Sequence, residues 1–107
     1  IFEVAKKNNI IVIPYIVPIR NDHLIPYELD VYNKFKTEIK KYSNLNNFHL
    51  LNFEDLIPNK YWGYNKSIAL GKEVKGIDFM HFQGEGHKIL AEKLINHFQK
   101  RIFDMGK

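Results

Sequence analysis

An aspartate, two intervening residues and a histidine stand together at Asp78-Phe79-Met80-His81, inside the stretch Gly76 to His87. A carboxylate three residues before an imidazole can share a turn with it and hydrogen-bond one ring nitrogen. That fixes the tautomer and leaves the other nitrogen as a general base. Gly84 and Gly86 follow, and glycines let a backbone turn sharply, which predicts that the pair sits at a rigid helix entrance. The same spacing also serves a turn in which Asp78 caps backbone N–H groups and His81 is a satisfied, partly buried ring.

What comes after the motif narrows the choice. Residues 78–94, DFMHFQGEGHKILAEKL, resemble the last block of the SGNH (GDSL-type) hydrolases. In that family an Asp-x-x-His is followed by a glycine and by a helix with an alanine and spaced leucines. The resemblance implies that Asp78 and His81 are the catalytic Asp and His of a Ser-His-Asp triad, acting on an ester or acyl-bearing small molecule or glycan. No cofactor is expected, and no metal, because Asp78, His81 and His87 would supply only three ligands with no further carboxylate or Cys cluster to reinforce them. The implied fold is α/β, a flavodoxin-like three-layer α/β/α sandwich. Residues 1–107 would be the carboxyl-terminal portion of one such domain, its last two parallel strands with their helices.

The family's serine block and its oxyanion glycine and asparagine have no counterpart in these residues. The two serines are Ser43, at a helix end, and Ser67, in a lysine-rich stretch. A triad therefore needs a nucleophile from elsewhere, and the isolated chain is expected to be inactive on esters. A reading from another class stays open: a binding or structural module with a degenerate site, in which Asp78 and His81 only hold a loop.

The elements that must position the pair are legible in outline. Ile1, Val4 and Ala5 give an apolar side to a helix tail that leaves through Lys6-Lys7-Asn8-Asn9. This opening predicts a domain whose upstream part lies outside these residues. Ile10 to Val17 is a β-branched run, the pattern of a buried parallel strand. Pro14 lacks a donor, which predicts that pairing ends near Ile13. The polar residues after it include Arg20 and His23, at the strand end where open α/β sheets bind ligands. The composition of that stretch favours a solvated loop.

A helix is predicted over 27–42, with Pro26 at its start and Tyr32, Phe35, Ile39 and Tyr42 on one face. Phe48 to Phe53 is the second strand. Residues 54–77 show no clear periodicity, and Ser67 to Glu73 suits a turn of helix. Within that stretch Tyr61, Trp62 and Tyr64 want burial or a ligand. They are the substrate-binding candidates, with plain packing as the alternative. A last helix is predicted from Gly84 to Phe103, burying Leu90, Ala91, Leu94, Ile95, Phe98 and Ile102. His87, one turn into it, suits packing or support rather than catalysis.

Bulk properties exclude several classes. With 45% hydrophobic and 26% charged residues among 107, the chain is not of disordered composition. It has no cysteine, so disulfides cannot reinforce a small core. The net charge of +4 is carried by lysines spread along the length, a solubilising surface rather than a nucleic-acid footprint. No apolar run approaches the roughly 20 residues of a membrane span. A two-stranded parallel sheet is a poor core by itself. That predicts association with a missing upstream half or with a second copy.

Overall fold

The structure, a computed structural model, describes residues 1–69 and 71–105, without the side chains of 65–69, 73–75 and 105. It is mixed α/β, with three α-helices, one parallel strand pair and one antiparallel pair among the described residues. The chain divides into two compact units, Ile1–Val17 with Ile25–Phe53, and Pro18–Leu24 with Glu54–Lys107.

The first unit holds α1 (Phe2–Lys7), β1 (Tyr15–Ile16), α2 (Leu29–Leu45) and β2 (Leu51–Asn52). Strands β1 and β2 pair in parallel, Tyr15 with Leu51 and Ile16 with Asn52. Both are shorter than the apolar runs suggest, and pairing falls after Pro14 rather than before it. Pro14 lacks only a donor. Its carbonyl still accepts the N–H of Leu51 at 3.0 Å, as Ile16 O accepts that of Phe53 at 3.1 Å.

Both helices of this unit stop by the same device. Each ends in Asn-Asn before an apolar residue, with Asn9 (φ 53°) and Asn47 (φ 59°) in the left-handed region that asparagine tolerates. The next N–H reaches back over the helix end, Ile10 to Ala5 O at 2.8 Å and Phe48 to Ser43 O at 2.9 Å. Using the Phe48 N–H in this cap leaves β2 to begin later than the apolar run does. Between the helices the core forms where Phe2 stacks on Phe48 and Tyr42, at 4.6 and 5.3 Å between ring centroids. The buried face of α1 is therefore Phe2 and Ala5, with Ile1 and Val4 exposed. Helix α2 starts after Pro26, with Glu28 at its N-cap. Phe35 and Tyr42 of its expected apolar face stay about half exposed.

In the second unit the stretch expected to lack regular structure is a β-hairpin. A 3-10 turn at Asn59–Tyr61 leads into β3 (Trp62–Ala69), which pairs antiparallel with β4 (Lys72–Phe82). Gly71, at φ 75°, supplies the left-handed residue near the tip. Ser67 and Glu73, the ends of the expected helical turn, are strand residues instead, paired with Val74 and Ile68. The expectation of parallel pairing alone thus gives way to an antiparallel ribbon here.

Helix α3 (Gly84–Met105) follows β4 directly. Its half-buried positions are Ile89, Leu90, Leu94 and His97, while Ala91, Ile95, Phe98 and Ile102 lie exposed, so the buried stripe is rotated from the one expected. No helix among the described residues is long and apolar enough to cross a membrane.

Candidate active site

The Asp-x-x-His motif lies on β4, before the helix rather than at its entrance. It occupies an interruption of the β3–β4 ladder. Trp62 pairs with Phe82 and Tyr64 with Ile77, so Gly63 alone stands opposite Asp78, Phe79, Met80 and His81. Extra residues on one strand bend it and re-aim its side chains. They also leave backbone groups without ladder partners, and those must be satisfied otherwise.

Asp78 satisfies two of them. Its Oδ1 accepts the N–H groups of Met80 and His81, each at 2.9 Å, the local bonding that aspartate favours in turns. The same carboxylate faces the His81 ring, with Nδ1 at 3.2 Å from Oδ2 and 3.3 Å from Oδ1. An ionised carboxylate can only accept, so Nδ1 carries the proton, and in the neutral ring Nε2 keeps its lone pair. Asp78 is 7% exposed, whereas the His81 side chain is 77% exposed. Burial by itself pushes the Asp78 carboxyl up. The N–H groups of Met80 and His81 and the charge of a protonated His81 outweigh it, holding the carboxyl below its ordinary value.

Arg20 is the member that composition placed in a solvated loop. It is 3% exposed. Its Nη1 donates to the carbonyl of Gly63 at 2.7 Å and to that of Asp78 at 3.4 Å, one on each side of the interruption. Nε donates to Asp22 Oδ1 at 2.7 Å, Nη2 to Oδ2 at 3.4 Å, and the Tyr64 ring lies 5.5 Å from the guanidinium carbon. The hydrogen bond from Arg20 is the main reason the Asp22 carboxyl sits below its ordinary range. His23, next along, sets its ring edge-on to Phe79 at 6.5 Å, with Nε2 at 3.7 Å from Asp22.

The aromatic candidates separate. Trp62 is 4% exposed, donates Nε1–H to Ile57 O at 3.5 Å and meets Phe82 edge-on at 5.4 Å. That is core packing. Tyr61 is half-buried beneath Lys60 Nζ, and Tyr64 is exposed beside Arg20. Trp62 and Tyr64 flank the pair in register, opposite Phe82 and Ile77, and of these two only Tyr64 is exposed.

Neither glycine after the motif turns the chain by a positive φ, and only Gly86 is required for its size. A Cβ on Gly86 would stand 2.8 Å from Phe82 Cδ2 and 3.1 Å from Ile57 Cγ2, whereas one on Gly84 would meet nothing within 4 Å. His87 packs its ring on Phe82 at 4.4 Å. Among the described residues, no three His, Cys, Asp or Glu side chains converge as metal ligands. Ser43 is fully buried in α2, and the Ser67 side chain lies outside the described residues.

The arrangement presents an oriented imidazole on a buried carboxylate, a unit that can take and return a proton at Nε2. No protein-family model, no curated protein and no solved structure matches the chain.

Proposed function

We propose that Asp78 and His81 are the acid–base pair of a serine-type acyl-transfer site. Residues 1–107 would form the carboxyl-terminal portion of an SGNH hydrolase-like, flavodoxin-type α/β domain. The observation that carries the reading is the pair itself, a buried carboxylate holding Nδ1 of an exposed imidazole. The parallel pairing of β1 with β2 and the helix after the motif are in keeping with it.

In this reading His81 Nε2 accepts the proton of a serine hydroxyl as that oxygen attacks an acyl carbonyl. It then returns the proton to the departing oxygen. Asp78 stays ionised and stabilises the imidazolium that forms in between. In this reading the serine and the oxyanion donors come from residues outside 1–107, since Ser43 is fully buried and Ser67 lies within a strand rather than on a strand-to-helix turn. Water or a sugar hydroxyl serves as acceptor, and the substrate is an ester or acyl-bearing small molecule or glycan.

One observation favours a second reading, a structural or binding module. The Asp78 carboxylate already has work in capping the N–H groups of Met80 and His81, which a scaffold would need as much as an enzyme. Turnover of a short-chain acyl ester by the domain carrying its serine block separates the two. Loss of activity in His81→Ala supports acyl transfer, and unaltered turnover in His81→Ala and Asp78→Asn leaves only the scaffold.

A further inference from the structure

We infer that Arg20 is the positioning residue of the Asp78–His81 pair: its guanidinium fills the gap that four residues opposite one open in the ladder, and so sets how the imidazole is held. The purpose assigned to this clamp rests on the acyl-transfer reading; the clamp itself rests on geometry.

In an unbroken antiparallel pair the carbonyls flanking a residue are served by N–H groups of the facing strand. Here the facing strand is displaced by the extra residues, and one side-chain nitrogen, Arg20 Nη1, serves Gly63 O and Asp78 O together. The guanidinium can do so because its other edge is held by Asp22 through Nε and Nη2. A buried cation is costly unless paired and hydrogen-bonded. Arg20 is both, with its charge facing Asp22 and its plane beside Tyr64.

The consequence passes to the histidine in two steps. Arg20 fixes the Asp78 peptide by its carbonyl. The Asp78 side chain then spends Oδ1 on the N–H groups of Met80 and His81, leaving Oδ2 to face Nδ1. The titratable partner of this carboxylate is His81, from its own strand; Arg20, from the 18–24 segment, bonds the Asp78 main-chain carbonyl. Lysine is no substitute, because a single ammonium cannot bridge two carbonyls and hold a carboxylate side-on at once.

The test is ¹⁵N NMR of the full chain, unaltered and as Arg20→Lys and Arg20→Met, with Trp62 fluorescence reporting that the second unit is folded. In the unaltered chain, neutral His81 carries its proton on Nδ1 and the amides of Met80 and His81 exchange slowly. In both variants the Nδ1–H population falls and those two amides exchange about tenfold faster or more. Rescue is absent in Arg20→Lys, which keeps the charge but not the fork. A folded Arg20→Met with the tautomer and both amides unaltered overturns the inference.

Should Arg20→Met fail to fold, Arg20→Lys is read in its place. The unaltered chain gives a separate answer. Resolved, slowly exchanging Nη protons on Arg20 uphold the clamp, and a freely rotating, water-exchanging guanidinium overturns it. None of these readouts needs turnover. A clamp that stands while His81→Ala leaves acyl transfer unaltered removes the proposed function and not the positioning.

Discussion

The carboxylate of Asp78 grips His81 twice, through its backbone N–H at 2.9 Å and through ring Nδ1 at 3.2 Å. Ring and backbone are thus referred to one buried group, and rotation about the side-chain bonds of His81 breaks a contact. The contacts between the two close within the four residues Asp78 to His81.

On the proposed acyl-transfer reading, His81→Ala in a domain that carries the serine block should lower turnover by about a thousandfold or more, because it would remove the base. Asp78→Asn should also be severe, since its amide group donates where the carboxylate accepts and turns the imidazole to the wrong tautomer. His87→Ala should stay within about tenfold, as its ring packs on Phe82. The rank order on one substrate, with folding checked by circular dichroism, is the measurement. His87→Ala as the worst of the three would mean the wrong histidine has been assigned.

Acid should weaken the second unit. The Asp78 carboxyl lies below its ordinary value in the folded chain. Its contribution to stability is therefore complete above the unfolded value, about 4, and fades as pH falls through the folded one. Urea denaturation followed by the single tryptophan, Trp62, should show the midpoint dropping as pH falls below about 5. Asp78→Asn should be less stable at pH 6, with a shallower decline and convergence on the unaltered chain in acid. Asp22, also depressed, keeps the decline from vanishing.

Gly86 and Gly84 should part company on substitution. Gly86→Ala places a methyl against Phe82 and Ile57. The overpacking costs about 1–3 kcal/mol, offset in part by the roughly 1 kcal/mol that alanine gains over glycine in a helix. Gly84→Ala meets open space and should be neutral or slightly stabilising. Thermal melts of the two variants, compared with the unaltered chain, decide it. A destabilised Gly84→Ala beside a neutral Gly86→Ala would refute the packing account.

Ser43 carries a fully buried hydroxyl with no hydrogen-bond partner among the described residues. Ser43→Ala should therefore leave the first unit as stable as before or raise its stability by up to about 1 kcal/mol, since it removes an unsatisfied group and improves helix propensity. The helical circular-dichroism signal on heating is the readout. A clear loss of stability would show that the hydroxyl is bonded in solution.

How much of this was legible in the residues depends on how locally each feature is encoded. The helices were, because Asn8-Asn9 and Asn46-Asn47 mark their ends and three- and four-residue spacing marks their course. So was the closeness of Asp78 to His81, which needs only a turn. The hairpin over 62–82 was not: Gly63, Asn65 and Ser67 alternate with residues of mixed character, so β3 shows no apolar face, and its partner is defined by pairing rather than by pattern. Arg20 was hidden for another reason. Its burial depends on carbonyls 43 and 58 residues away, and a polar tripeptide in isolation reads as loop.

Arg20 also bears on what can be transplanted. A segment covering Lys72 to His87 would carry the aspartate, the histidine and the start of the helix into another hairpin. It would leave behind the cation beneath the ladder, which belongs to residues 18–24. Such a graft would reproduce the motif letter for letter yet release the carbonyls of its own bulge to water. To keep the imidazole aimed, the recipient would have to offer a forked donor at that spot, with an acid to neutralise it.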